Sequence, residues 1–202
     1  MTYQEDPSFF IFVHIPFADM NYVTILNWFE TTHQAKFRLI NDNEVHDQQM
    51  NLQALEGLYP GVKTFSIIMN PWALCFRAFR TLWMKEQTEP GVHTSDVDIS
   101  SFENFIKGMT QLNDNGLWYS GVPNQIDWLS YQLPDGSTKE VDYILRQESL
   151  AEDFAAIQEF FEAEPLANIH PLPDYKDRYT EETKQIVAQV FARDIARFGF
   201  TF

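Results

Sequence analysis

The sequence is poor in cysteine, glycine and positive charge, and each scarcity excludes something. Its one cysteine, Cys75, rules out an intramolecular disulfide framework and any cysteine-rich zinc site. Lys and Arg number 14 against 29 Asp and Glu, a formal charge of −15 over 202 residues. So acidic a chain has no surplus of cations to displace counterions from nucleic-acid phosphates or to dock on an anionic membrane. Long apolar runs are missing too: the longest, residues 8–17, falls well short of the roughly 20 residues a membrane helix needs. Glu5 and Asp6 stand where a signal peptide would carry basic residues. The expectation is a soluble, cytoplasmic chain with no signal peptide, no transmembrane segment and no nucleic-acid or membrane partner.

Apolar and aromatic residues are abundant, with 18 Phe, 15% aromatics and 45% hydrophobic residues. That is enough for one sizeable core, and no repeat or linker divides it, so one domain over 1–202 is expected. Residues 9–15 form a short, continuous apolar run that Pro16 ends, the pattern of a strand buried on both faces. Helical spacing follows over 21–29. Further strands are expected over 37–40, 62–69 and 141–145, with a short helix around 52–58. Asn70-Pro71 reads as a helix cap followed by proline at the first helical position. The helix it opens should bury Trp72, Cys75, Phe76, Phe79, Leu82 and Trp83. Helix 102–109 follows, then turn-rich residues 113–137. Ser149 and Glu152 have capping-box spacing, with Leu150, Phe154, Ile157 and Phe161 turned inward. A last helix runs from near Thr180 to Gly199. Strands alternating with helices predict an α/β domain with a central, mainly parallel sheet.

Four places, in order along the chain, bring this pattern to a family. They are 12–16 (FVHIP), 69–72 (MNPW), 125–129 with 141–154, and 175–180 with the final FGF. The chain resembles the carbohydrate-type sulfotransferases. The resemblance implies a three-layer, P-loop-like α/β fold with helices flanking the sheet. It also implies sulfuryl transfer from 3′-phosphoadenosine 5′-phosphosulfate to a hydroxyl, with a carbohydrate or other small molecule as acceptor. The family's 5′-phosphosulfate loop would then correspond to Phe17, Ala18, Asp19, Met20 and Asn21. Phe17 stands at the family's lysine, no glycine is present, and Asp19 adds negative charge. The 3′-phosphate motif corresponds to Met69, Asn70, Pro71, Leu74 and Arg77, with both of its arginines replaced. Arg77, where the family has serine, is either a substitute cation or a solvated helix residue. The expectation is therefore a family homologue with a degraded donor site; the alternative is a non-catalytic binding or assembly protein on the same scaffold.

Other residues offer chemistry by type alone. Glu44 and His46 lie where the family places its acceptor-side base, and their pairing would suit deprotonating a hydroxyl. With His33 and Asp47 they make a metal set only on paper, because the spacing fits no known pattern, and no metal is expected. His14 reads as a core residue. Trp28, Trp72 and Trp83 read as core, whereas Trp118, beside Tyr119, is a candidate ligand platform. Cys75, on an apolar helix face, is expected to be inert.

Overall fold

The computed structural model describes residues 9–15, 17–18, 20–31, 36–40, 63–88, 98–110, 122, 124–133, 135–161 and 164–202. In chain order the elements are β1 (Phe9–Val13), α1 (Tyr22–Thr31), β2 (Lys36–Ile40), β3 (Lys63–Ile68), α2 (Pro71–Thr88) and α3 (Phe102–Gly108). There follow β4 (Ser130–Gln132), β5 (Thr138–Glu140), β6 (Tyr143–Arg146), α4 (Leu150–Asp153), α5 (Ala155–Phe161), α6 (Glu181–Val190) and α7 (Ala192–Phe198). The chain divides into two compact units, 1–68 with 127–171 and 69–126 with 172–202. The helix expected around 52–58 lies outside the described residues.

The first unit is built on a four-stranded sheet of order β2-β1-β3-β6, parallel throughout. β1 and β3 are central, and their sequences show why. Phe12, Phe65 and Ile67 alternate with Val13, Thr64, Ser66 and Ile68, and all are buried, so β3 is enclosed on both faces. Phe12 stacks on Phe65 at 4.9 Å, and Trp28 of α1 meets Phe154 edge-on at 4.9 Å. Ile25, Phe29, Leu145, Leu150 and Ile157 complete this core. The indole N–H of Trp28 donates to the Glu164 carbonyl at 2.7 Å, which lets a large aromatic be buried without orphaning its nitrogen. Thr64, one of two polar residues in that set, is matched with Asp142: its N–H and hydroxyl both donate to the carboxylate at 2.8 Å.

Two local expectations are corrected in this unit. Ser149 does not cap α4. Its hydroxyl donates instead to Asp153 Oδ2, which also accepts the Arg146 N–H at 2.6 Å, so the carboxylate closes the β6–α4 turn. The turn-rich stretch also contains an antiparallel hairpin, β4–β5, closed through Gly136 at φ 83. Ser137 donates from both its N–H and its hydroxyl to Asp135 there.

The second unit is helical. Asn70 and Pro71 open α2 as expected, and residues 71–76 are buried all round. The row Trp72, Phe76, Phe79, Trp83 then climbs out of the packing, and Trp83 is 45% exposed. That corrects the expectation of a core residue. The last turns of α2 are solvated except for Leu82 and the half-buried Glu86, and Leu82 lies on the neighbouring row below Ala78. Phe102 packs edge-on to Phe76 and to Tyr179, at 5.3 and 4.9 Å. Thr180 caps α6 in a reciprocal box with Thr183, so hydroxyls do what a glutamate usually does. The expected single last helix is two, broken at Phe191, and α7 ends on Gly199 at φ 66, a left-handed conformation suited to glycine.

Phe154 is fully buried against Trp28, Phe29 and Phe65. Phe154→Ala should lower unfolding free energy in urea by about 3–5 kcal/mol. A loss under 1 kcal/mol would show that this cluster does not hold the first unit together.

Candidate functional site

In open parallel sheets ligands sit outside the carboxyl ends of the strands, where the strand order reverses. The order β2-β1-β3-β6 puts that reversal at β1, so the segment after it is the first place to look. His14 is half-buried, edge-on to Phe12 at 6.1 Å. The Ser66 hydroxyl donates to the Val13 carbonyl at 2.7 Å and ties the end of β1 to β3. Phe17 then turns the chain at φ 65, a region an L side chain enters at a cost of roughly 1–2 kcal/mol. The Ala18 N–H closes that turn onto the Ile15 carbonyl at 3.1 Å, and Ala18 is fully buried.

Asn21 is also fully buried, and both polar atoms of its amide are bonded. Nδ2 donates to the His170 carbonyl at 3.1 Å and Oδ1 accepts the His170 N–H at 2.6 Å. Its own carbonyl accepts Ile25 N–H and so starts α1. Met20 is half-buried. Asp19 lies outside the described residues. Of the five loop positions singled out from sequence, Ala18 and Asn21 thus sit inside the fold.

In the second unit, Asn70 is committed in the same way. Oδ1 accepts the Trp72 N–H at 3.1 Å as a cap, and Nδ2 donates to the Thr201 carbonyl at 2.8 Å. Met69 and Leu74 are both 0% exposed. Arg77 is half-buried on α2. Both backbone groups of Met69 are read by one side chain: its N–H donates to Gln125 Oε1 at 2.7 Å, and its carbonyl accepts from Gln125 Nε2 at 2.8 Å. Gln125 is held in turn by Asp194 of α7, a fully buried carboxylate that accepts the N–H groups of Gln125 and Ile126 at 2.8 and 3.0 Å.

Sequence reasoning missed Asp194. The signal available was its place between Phe191 and Phe198, on the apolar row of the last helix. Cys75 is buried, and burial first, then the charge of Asp194, pushes its thiol well above the ordinary range. Burial likewise raises Tyr179, whose hydroxyl donates to the Trp72 carbonyl at 2.8 Å.

Glu44, His46, His33, Asp47, His93 and Trp118 lie outside the described residues. Among the described residues no group of three or more His, Cys, Asp or Glu could hold a metal ion. No helix among them is long and apolar enough to cross a membrane. His170 is exposed, and its backbone is what Asn21 reads. No protein-family model matches the chain, and no curated protein matches it.

Two outcomes follow. Asp194→Ala leaves the N–H groups of Gln125 and Ile126 without their acceptor and should lower stability by about 2–5 kcal/mol in denaturant melts. A neutral result would mean that water replaces the carboxylate freely. The raised thiol of Cys75 stays protonated in the fold at a pH where the unfolded chain ionises. Its contribution is therefore full below the ordinary thiol range and is lost as pH rises above it. Stability should decline above about pH 8.5 by up to ~1.4 kcal/mol per unit, and Cys75→Ala should remove that share of the slope. An unchanged slope in the variant would rule Cys75 out as its source.

Proposed function

We propose that the chain is a divergent relative of the carbohydrate-type sulfotransferases. It keeps their three-layer, P-loop-like scaffold, has turned the donor site into packing, and acts as a non-catalytic binding or assembly protein. The observation that carries this is the burial of Met69 and Leu74, the two positions where the resembled family has its 3′-phosphate arginines. They are not cations exchanged for neutral surface residues; they are enclosed apolar side chains. The commitment of Asn70 to a cap and to Thr201, and of Asn21 to His170, supports the same reading. These residues do not fit 3′-phosphoadenosine 5′-phosphosulfate.

Counting Phe17, Met69 and Leu74 as lost cations and Arg77 as one gained leaves a net loss of two. Charge-assisted contacts contribute about 1.5–3 kcal/mol each, so donor affinity falls by about 3–6 kcal/mol, roughly a hundred- to ten-thousand-fold. Retained activity would rest on Arg77 as substitute cation and on Glu44 and His46 as base.

Calorimetric titration with the product nucleotide, 3′-phosphoadenosine 5′-phosphate, tests this directly. The expected result is no saturable binding below the millimolar range. A low-micromolar Kd, weakened by Arg77→Ala, would restore the enzyme reading.

A further inference from the structure

Two buried side-chain amides among the described residues share one arrangement. Asn21 and Gln125, both fully buried, each grip the N–H and the C=O of a single residue, His170 and Met69, at 2.6–3.1 Å. Asn70 divides its amide between the Trp72 N–H and the Thr201 carbonyl, whereas Gln147 does neither. Gln147 is 4% exposed, and neither Oε1 nor Nε2 has a hydrogen-bond partner among the described residues. An unpaired buried donor and acceptor each destabilise a fold, which is why native structures keep so few of them.

The position of Gln147 is a second, separate observation. Ile68 of β3 pairs with Arg146, the last residue of β6, so Gln147 is the first residue past the carboxyl end of that ladder. This is the end of a parallel sheet at which α/β proteins bind ligands.

We infer that Gln147 is the recognition group of a binding site at the carboxyl end of the first unit's sheet, for a neutral ligand with an amide edge. Such an edge, an N–H beside a C=O as in a lactam or a pyrimidine dione, is the complement of a primary amide. Asn21 and Gln125 already grip the same pairing of one donor and one acceptor, supplied there by the two peptide groups that flank a single residue. A neutral ligand suits a chain carrying −15, because neither partner needs a compensating cation. Entry requires the turn Gln147–Ser149 to lift, since both amide atoms are closed off. Lifting it means releasing the Ser149 hydroxyl from Asp153, while no side-chain cap holds the four-residue α4 that follows. The site owes nothing to the proposed ancestry and stands or falls apart from it.

The test uses the full chain with two matched probe pairs. 2-Pyrrolidone and uracil have the amide edge; N-methyl-2-pyrrolidone and 1,3-dimethyluracil keep the rings and the acceptors but lose the donor. At millimolar concentration the first member of each pair should raise Tm by a few degrees and shift the Gln147 side-chain NH₂ signals in ¹⁵N–¹H spectra. The methylated members should do neither. Gln147→Leu and Gln147→Met, which remove the orphaned amide, should melt higher than the parent without probe and respond to none of the four. Equal responses to both members of a pair, or no response at all, would overturn the inference. So would variants that both melt lower or fail to fold, because the amide would then be satisfied already, by a bound water for example.

Discussion

A parallel strand enclosed on both faces cannot turn to solvent for the polar groups that remain where its ladder stops. Several side-chain contacts among the described residues answer that constraint. Ser66 serves the carbonyl at the end of β1, and Asp142 serves the start of β3. Directly after β3, Gln125 supplies Met69 with the donor and acceptor that a neighbouring strand would have given. Asn21 does the same for His170. Asp194 is a level deeper, fixing the backbone of the residue that does the fixing. Polar residues near strand ends, which from type and place invite a reading as ligand contacts, are therefore largely used up by the fold. Gln147 stands out because, among the described residues, both atoms of its buried amide lack a partner, whereas Asn124 and Gln158 each leave only one atom so.

How much of this was legible depends on distance along the chain. The strands β1 and β3, the Asn70-Pro71 opening of α2 and the Thr180 start of α6 are local patterns, and the sequence shows them directly. Local spacing can still mislead when a stronger partner is at hand. Ser149 and Glu152 have the separation of a capping box, yet Asp153 already accepts the Arg146 N–H and takes the serine hydroxyl as well. Trp83 has helical spacing with Phe76 and Phe79, but periodicity cannot say where along a helix its packing partners end. The amide grips were out of reach altogether, because they join residues 56 and 149 positions apart. Of the candidate site, the place of the post-β1 loop could be read from the sequence; the engagement of its side chains could not.

The same burial bears on charge. In a chain of −15, holding an anion requires cations gathered at one place against the general field. On the proposed ancestry two such cations would stand at 69 and 74, where Met and Leu are fully enclosed. Putting a guanidinium back at either position would take a charge out of water without a prepared partner, a penalty of several kcal/mol. The neighbourhood makes this worse for Met69, whose backbone is gripped by Gln125 and cannot shift without disturbing Asp194. On that ancestry, a loss of donor chemistry would not be two independent substitutions that single changes could reverse. It would be a property of how the second unit is packed, and recovering an anion site there would require rebuilding that packing first. What the acidity leaves open are ligands that need no cation, and the neutral, unpartnered amide of Gln147 at the carboxyl end of the other unit's sheet is the group from which a site for one is inferred.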